Sequence, residues 1–204
     1  ITIADLSAAG NISIDLGGMS GSAAISIIDS SGTFTLNAGG AANLAFNAEH
    51  LSASAATITL GAVSDAAMSN SISAINISNG FTLNGSAYRE GFSAQTISAS
   101  AISVTFGDLA DFFFASSITT ENFNFVGGDG ANFSAAMSTV VIGDADWSLT
   151  MPELGNGLTI DQIKFSASGT IVGTNSIDNV SASSTTAAGD TIKFEFNAGE
   201  DNVQ

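Results

Sequence analysis

The chain has 204 residues, and its 45% hydrophobic content is enough for a packed core in one large domain or two small ones. Its formal charge of −16, from 19 acidic residues against Arg89, Lys164 and Lys193, argues against nucleic acid or an anionic membrane as a partner, because both would be repelled. No run of about 18 apolar residues is present to cross a bilayer, and the absence of cysteine excludes disulfides and thiolate metal sites.

A repeat starts at the beginning of the chain. The segment ITIADLSAAGNISIDLG is followed by FNAEHLSASAATITLG at 46–61, by FSAQTISASAISVTFG at 92–107, and by a shortened copy, FSAAMSTVVIGDAD, from Phe133. A second unit lies between these copies, as GTFTLNAGG at 32–40, GFTLNGSA at 80–87 and ENFNFVGGDG at 121–130. Each long repeat therefore divides into two halves of about 23 residues, which is typical of a stacked repeat architecture.

The halves have the periodicity of β-strands. Apolar residues alternate with polar ones, as at Ile102, Val104 and Phe106, and no segment has a convincing helical period. The alternation from Phe92 breaks at Ile97, so the strand is expected to bend or bulge around ISAS. Three short strands in about 23 residues predict an all-β parallel β-helix, or β-solenoid; a β-sandwich of duplicated hairpins also fits the alternation.

The repeats suggest how the chain is divided. Copies near 1–45, 46–91, 92–132 and 133–150 predict a repetitive β domain over 1–150. MPELGNGL, at 151–158, contains the only proline, and the copies beyond it are degraded. Residues 151–204 are therefore expected to be a degraded repeat or capping region that ends in a β-strand.

Few residues are suited to catalysis. His50 is the only histidine, so a histidine-rich zinc site is excluded and a Ser-His-Asp triad lacks supporting motifs; it is interpreted as an exposed repeat position. Carboxylate pairs such as Asp108 with Asp111 are able in principle to cleave sugars. Because Trp147 is the only tryptophan, Tyr88 the only tyrosine and cations are scarce, the sequence predicts that the protein is not an enzyme.

Calcium is the one cofactor that the sequence suggests. GGDGANF, at 127–133, partly resembles the nonapeptide of calcium-binding parallel β-rolls, although an ordinary glycine turn is the favoured interpretation of this segment. Clustered carboxylates in a strongly acidic chain would gain most from a hard divalent cation, so millimolar calcium is expected to raise the melting temperature. The candidate metal ligands are Asp108, Asp111, Asp129, Asp144 and Asp146.

Two apolar features suggest contacts beyond the core. Phe112, Phe113 and Phe114 are consecutive and cannot all face one core, so one is expected to pack against another chain or a bulged turn. Near the C-terminal end of the sequence, the segment TIKFEFNAG alternates Ile192, Phe194 and Phe196 with charged residues. Such a terminal strand is a candidate for addition to the sheet of a second copy.

The composition resembles that of repetitive bacterial extracellular proteins, namely surface-layer proteins, adhesins and matrix filaments. That resemblance implies an extracellular or cell-surface location, and a start at Ile1 rather than Met fits a processed protein or a fragment. The favoured function is a non-catalytic subunit of a filament, biofilm matrix fibre or surface layer, with itself as partner. The first alternative is an adhesin or ice-binding solenoid with cell-surface glycans among its partners, ranked lower because TITL and TFTL appear only scattered; a polysaccharide-active enzyme ranks third.

Overall fold

A computed structural model gives the architecture as an all-β chain of parallel strands stacked as a β-solenoid, with a spacing of about 22 residues between coils. The parallel β-helix prediction is therefore confirmed, and the β-sandwich alternative is wrong because the strands pair in parallel between coils. The structure describes residues 1–39, 44–61, 70–85, 91–107, 112–127, 133–143, 147–151, 157–174, 178–184, 191–195 and 202–203.

The strands belong to one sheet that wraps around the core. They are β1 (Thr2–Ala8), β2 (Ile12–Asp15), β3 (Gly21–Asn37), β4 (Leu44–Thr59), β5 (Asn70–Ile77), β6 (Gly80–Asn84), β7 (Gly91–Thr105), β8 (Phe112–Val126), β9 (Ser134–Ile142), β10 (Trp147–Thr150), β11 (Gly157–Phe165), β12 (Gly169–Val172), β13 (Asn179–Ser184), β14 (Ile192–Glu195) and β15 (Asn202–Val203).

Each coil has three faces, named here in chain order. Faces 1 and 2 are the first and second parts of the strand path β1-β3-β4-β5-β7-β8-β9-β11-β13-β15. Face 3 is formed by the short strands β2, β6, β10, β12 and β14 together with the last residues of the long strands β3, β4, β7 and β8.

The bends between faces are visible in the burial pattern of β7. Gln95 and Thr96 are both exposed, after which Ile97 and Ala99 are buried, so the inward parity changes between face 1 and face 2. It changes again at Ser100 and Ala101, where the chain turns onto face 3. The bend predicted around ISAS thus exists as two bends that flank it, and the repeated ISAS and LSAS segments occupy the same part of face 2 two coils apart.

The core is a set of inward columns in which aliphatic and aromatic side chains stack from coil to coil. Phe113 lies against three other rings, with centroid distances of 5.2 Å to Phe125, 6.0 Å to Phe106 and 6.2 Å to Phe92. Because parallel coils lie about 4.8 Å apart, equivalent rings on neighbouring coils are at stacking distance. Burial of apolar surface between coils therefore stabilises the stack, and no coil buries its core alone.

Five polar side chains are buried among the described residues, and two of them, Asn70 and Asp178, connect neighbouring coils within one inward column. Asn70 is buried, where its side chain accepts from the Phe46 N–H at 3.0 Å and donates to the Gly91 carbonyl at 3.3 Å. Asp178, in the same column, accepts from the Leu158 N–H at 2.7 Å. These bonds replace the ones that each buried group would otherwise make with water.

The three consecutive phenylalanines are separated by the alternation of β8. Phe113 is buried in the core, whereas Phe114 is 40% exposed on face 1. Phe112 lies over Gly91 of the preceding coil, where an added Cβ would overlap its ring. Phe112 thus packs within its own chain, and the contact with another chain stays a prediction for Phe114.

Gly169 stands at an inward position that elsewhere holds Phe81, Ile102 or Phe123. The indole of Trp147, on the preceding coil, covers it and donates to the Ala167 carbonyl at 3.2 Å. Only a residue without a side chain leaves room for that ring.

We expect Gly169→Ala to lower the free energy of unfolding by about 3 kcal/mol, because its Cβ would overlap the buried indole and force a shift in a packed core. Urea denaturation is the measurement. Gly80→Ala is the matched control, since Gly80 also begins a face 3 strand but has no atom within 4 Å of an added Cβ. Equal effects of the two substitutions would contradict this account of Trp147 packing.

The strand ladder continues across the boundary proposed near residue 151. β11 pairs with β9, and β12 pairs with β10, so the coils on the two sides of that point are stacked directly. The division into a repetitive domain over 1–150 and a capping region over 151–204 therefore stays a prediction made from the sequence repeats.

Candidate binding face

The outward side chains of face 3 form two regular columns, defined here as the outer array. Each face 3 strand contributes one residue to each column, two positions apart, and every one of these side chains is half-buried or exposed. The first column is Ser13, Thr35, Thr57, Thr82, Ser103, Asn124, Ser148 and Thr170; the second is Asp15, Asn37, Thr59, Asn84, Thr105, Val126, Thr150 and Val172.

The spacing of the outer array follows from sheet geometry. Neighbouring coils are about 4.8 Å apart, and residues two positions apart on a strand are separated by about 6.7 Å. Threonine is β-branched and stiff about χ1, so its hydroxyl and methyl groups are held in few orientations. Some members also fix one another, as where the Ser148 hydroxyl donates to Asn124 Oδ1 at 2.7 Å. The result is a two-dimensional grid made mostly of hydroxyl and amide groups, with Asp15, Val126 and Val172 as the exceptions.

The outer array is nearly free of charge although the protein is strongly acidic. Asp15, at its N-terminal end, is the one ionisable residue in the two columns. At the other end the columns lead to Lys193 and Glu195, which form an ion pair with each other. The array also contains no aromatic residue, because the phenylalanines of the face 3 strands point into the core.

The expectation that Thr-x-Thr segments are scattered without register holds for TFTL and TITL, since Thr33 pairs with Ala55 and Thr35 with Thr57, but mixed columns of Ser, Thr and Asn are in register. Paired residues are separated by variable numbers of positions: 25 from Thr57 to Thr82, but 21 from Ser103 to Asn124. The connections between coils absorb these differences, so a search at a fixed offset misses the alignment. The usable signal was the recurrence, in six of the eight face 3 segments, of a Ser, Thr or Asn two positions before another polar residue.

All five aspartates predicted to bind calcium lie outside the described residues. Asp108, Asp111, Asp129, Asp144 and Asp146 therefore stay predictions, as does the GGDGANF turn, of which only Gly127 and Phe133 are described. Within the described part of the chain, no group of three or more His, Asp or Glu side chains could hold a metal ion.

The other residues singled out from the sequence have defined places. His50 is half-buried at the bend between faces 1 and 2, where it aligns with Ile27 and Ala74 of the neighbouring coils. Trp147 is 4% exposed, so it offers no platform for a sugar. These placements add no support for an active site at either residue.

The C-terminal strand pairs within its own chain. β14 lies beside β12, and Ile192 and Phe194 are packed against the core as partly buried side chains, while Phe196 is outside the described residues. Within the described strands, β14 has a neighbour on one side only. A role for these residues in assembly stays a prediction.

Comparison with known proteins adds no assignment: no protein-family model, curated protein or solved structure matches this chain. Among the described residues there is also no helix of the length and hydrophobicity needed to span a membrane. The functional argument therefore depends on the chain's own geometry.

Proposed function

We propose that this protein is a non-catalytic β-solenoid that binds ice through the outer array of face 3. The observation that supports the proposal is the register of uncharged Ser, Thr and Asn side chains over successive coils. Ice presents oxygen atoms in a repeating two-dimensional pattern with separations close to those of this grid. A protein face that repeats in both directions is able to match such a surface at many points at once, which multiplies individually weak contacts.

The chemistry of the outer array favours ordered water over other ligands. Serine and threonine hydroxyls both donate and accept hydrogen bonds, as water does, and they tolerate either orientation of a neighbouring water molecule. The two columns contain no cationic side chain to bind an anionic polymer, and they contain no aromatic ring to stack on a sugar. The methyl groups of threonine would lie between the bound water molecules.

An assay of the unmodified protein tests this proposal. At micromolar concentration it is expected to inhibit the recrystallisation of ice and to change the shape of growing ice crystals. Serum albumin at equal mass concentration controls for nonspecific effects of protein. Ice that grows and recrystallises as in buffer, at concentrations up to the solubility limit and with or without calcium, would contradict the proposal.

Ice binding would require an extracellular or cell-surface location, which agrees with the composition of the chain. Calcium binding by the predicted aspartates belongs to the same proposal as a stabilising feature, since it would reduce the self-repulsion of an acidic protein. Binding by the outer array does not depend on it, because none of those aspartates is in the array.

A second candidate function, self-assembly into a filament, is supported by the N-terminal coil. Among the described strands, β1 and β2 each pair on one side only. The apolar side chains at this end, including Ile3, Leu6 and Ile14, line a cavity of about 390 Å³. The inward residues Ile192 and Phe194 of β14 are likewise only partly covered. We propose that the last coil of a second copy stacks on the first coil and continues the parallel ladder.

The assembly is expected to depend on apolar contact at the end of the solenoid. Negative-stain microscopy and sedimentation of the purified chain should show end-to-end fibres whose formation is abolished by Ile14→Lys. Ile27→Lys is the matched control, because Ile27 is 42% exposed at a bend away from the cavity. A chain that stays monomeric at every protein, salt and calcium concentration would exclude this second function and leave the ice-binding proposal intact.

A further inference from the structure

A shallow groove runs along the solenoid axis at the bend between faces 1 and 2, away from the outer array. Two depressions of about 260 Å³ and about 160 Å³ share Ser71 and Ser73 in their linings, so they are adjacent along the axis. Together they extend from Thr2 on β1 to Phe114 on β8, at right angles to the strands. We refer to them together as the axial groove.

The two walls of the axial groove come from adjacent rows of outward residues. One row is in register from coil to coil and includes Asn47, Ser71 and Phe114. The other row consists of the bend residues, of which Glu49 and Gln95 have the longest polar side chains. Ser73 lies between Glu49 and Gln95 in the bend row, so long polar side chains alternate there with a small one.

Phe114 closes one end of the groove with an apolar surface. It is 40% exposed, whereas its neighbour Phe113 is buried, so the ring is not needed to fill the core. An exposed aromatic ring beside an amide side chain, here Gln95, is a common arrangement in sites that bind sugars, because one face of a pyranose is apolar and its edge carries hydroxyl groups.

We infer that the axial groove binds a single strand of a neutral, extended polysaccharide, with Phe114 stacked on one sugar ring. The coil spacing of about 4.8 Å is slightly shorter than one sugar of an extended β-1,4-linked chain, so a short run of sugars fits along the groove with about one sugar for each coil. Asn47 and Gln95 supply both donors and acceptors for sugar hydroxyls, and Glu49 supplies acceptors. Among the described residues, the lining contains the carboxylate of Glu49 and no Lys or Arg, which disfavours anionic polysaccharides.

The inference does not rest on ice binding, because the groove and the outer array are on different faces and share no residue. Variants of the groove should therefore leave inhibition of ice recrystallisation unchanged. This separation makes failure of one proposal distinguishable from failure of the other.

Affinity electrophoresis in gels that contain hydroxyethyl cellulose, glycol chitin or galactomannan tests the inference. At least one of these neutral polysaccharides is expected to retard the unmodified protein, and alginate is expected not to. Phe114→Ala and Gln95→Ala should each raise the dissociation constant about tenfold, which corresponds to about 1.4 kcal/mol of lost contact. Phe114→Tyr, which keeps the ring, should retain binding.

Val203→Ala is the control, because Val203 is another exposed apolar residue but lies on β15, outside both the groove lining and the outer array. It should bind polysaccharide as the unmodified protein does. The inference is overturned if none of the three neutral polysaccharides retards the unmodified protein, or if Phe114→Ala binds as tightly as the unmodified protein. Circular dichroism melting of each variant ensures that a loss of binding is not a loss of fold.

Discussion

Phe113→Ala is expected to lower the free energy of unfolding by about 4 kcal/mol, the largest effect of any single truncation considered in this protein. The Phe113 side chain is 1% exposed and contacts the rings of Phe92, Phe106 and Phe125, with centroids between 5.2 and 6.2 Å away. Truncation removes apolar surface that is buried against three neighbours and leaves a cavity between two coils. Urea denaturation, followed by circular dichroism, measures the loss.

Phe114→Ala is the matched control for this prediction. The two phenylalanines are adjacent in β8 and chemically identical, but the ring of Phe114 is 40% exposed. Its truncation is therefore expected to change the free energy of unfolding by less than about 1 kcal/mol. If both substitutions destabilise the protein equally, the assignment of inward and outward residues on face 1 is wrong.

Because stacked repeats are stabilised mainly by contacts with their neighbours, the loss at Phe113 should spread to adjacent coils. Hydrogen exchange is expected to show faster exchange in β7, β8 and β9 than in the N-terminal strands. Uniform acceleration over the whole described chain would indicate instead that the solenoid unfolds as one cooperative unit.

The architecture was predictable because the sequence contains both the half-repeats and the alternation of apolar and polar residues that a β-solenoid requires. The matching LSAS and ISAS segments lie two coils apart on face 2, as the division of the long repeat into halves of about 23 residues required. The parity change before Ile97 predicted a bend, and the structure has one at Gln95 and Thr96. These signals survive in sequence because inward residues are apolar on most coils.

The candidate binding face was not predicted, for a physical reason. Outward residues of a solenoid need only be compatible with water, so Ser, Thr and Asn there look like ordinary surface composition until their register is known. Connections of different length shift that register, which hides the alignment of Thr57 with Thr82. Similarly, the axial groove depends on which of three consecutive phenylalanines faces outward, and sequence alternation alone did not decide between Phe112 and Phe114.

The predicted metal ligands show a different limitation of sequence reasoning. Aspartates in glycine-rich connections are compatible with calcium, but their positions relative to one another depend on how successive connections stack. Asp108, Asp129 and Asp144 lie outside the described residues, so their proximity stays a prediction. The outer array and the axial groove, by contrast, are on regular strands whose register is defined.

The second large effect is expected from Thr82→Lys, which places a long, strongly hydrated cation in the first column of the outer array. Thr82 aligns with Thr57 on one side and Ser103 on the other, so the lysine would project from the middle of the grid. Its hydrated ammonium group would keep disordered water over the neighbouring side chains. The concentration needed to inhibit ice recrystallisation should rise by at least about tenfold, as expected for loss of a central contact. Stability should change by less than about 1 kcal/mol, because the position is outward.

Two further variants test separately how the hydroxyl group of Thr82 and the added positive charge affect inhibition of ice recrystallisation. Thr82→Val keeps the β-branched shape and the methyl groups but removes the hydroxyl, so its activity reports how much the hydrogen bond contributes. Thr119→Lys makes the same change of charge on face 2, where the Thr119 side chain is exposed. It controls for any effect of the altered net charge.

The most direct measurement is therefore a comparison of ice-recrystallisation inhibition by the unmodified protein, Thr82→Lys and Thr119→Lys at equal concentrations of folded protein. Ice binding through face 3 predicts that the unmodified protein and Thr119→Lys inhibit recrystallisation equally, and that Thr82→Lys has lost at least about tenfold in potency. Inhibition by all three proteins at the same concentration, or by none of them, would contradict the assignment of the outer array as an ice-binding face.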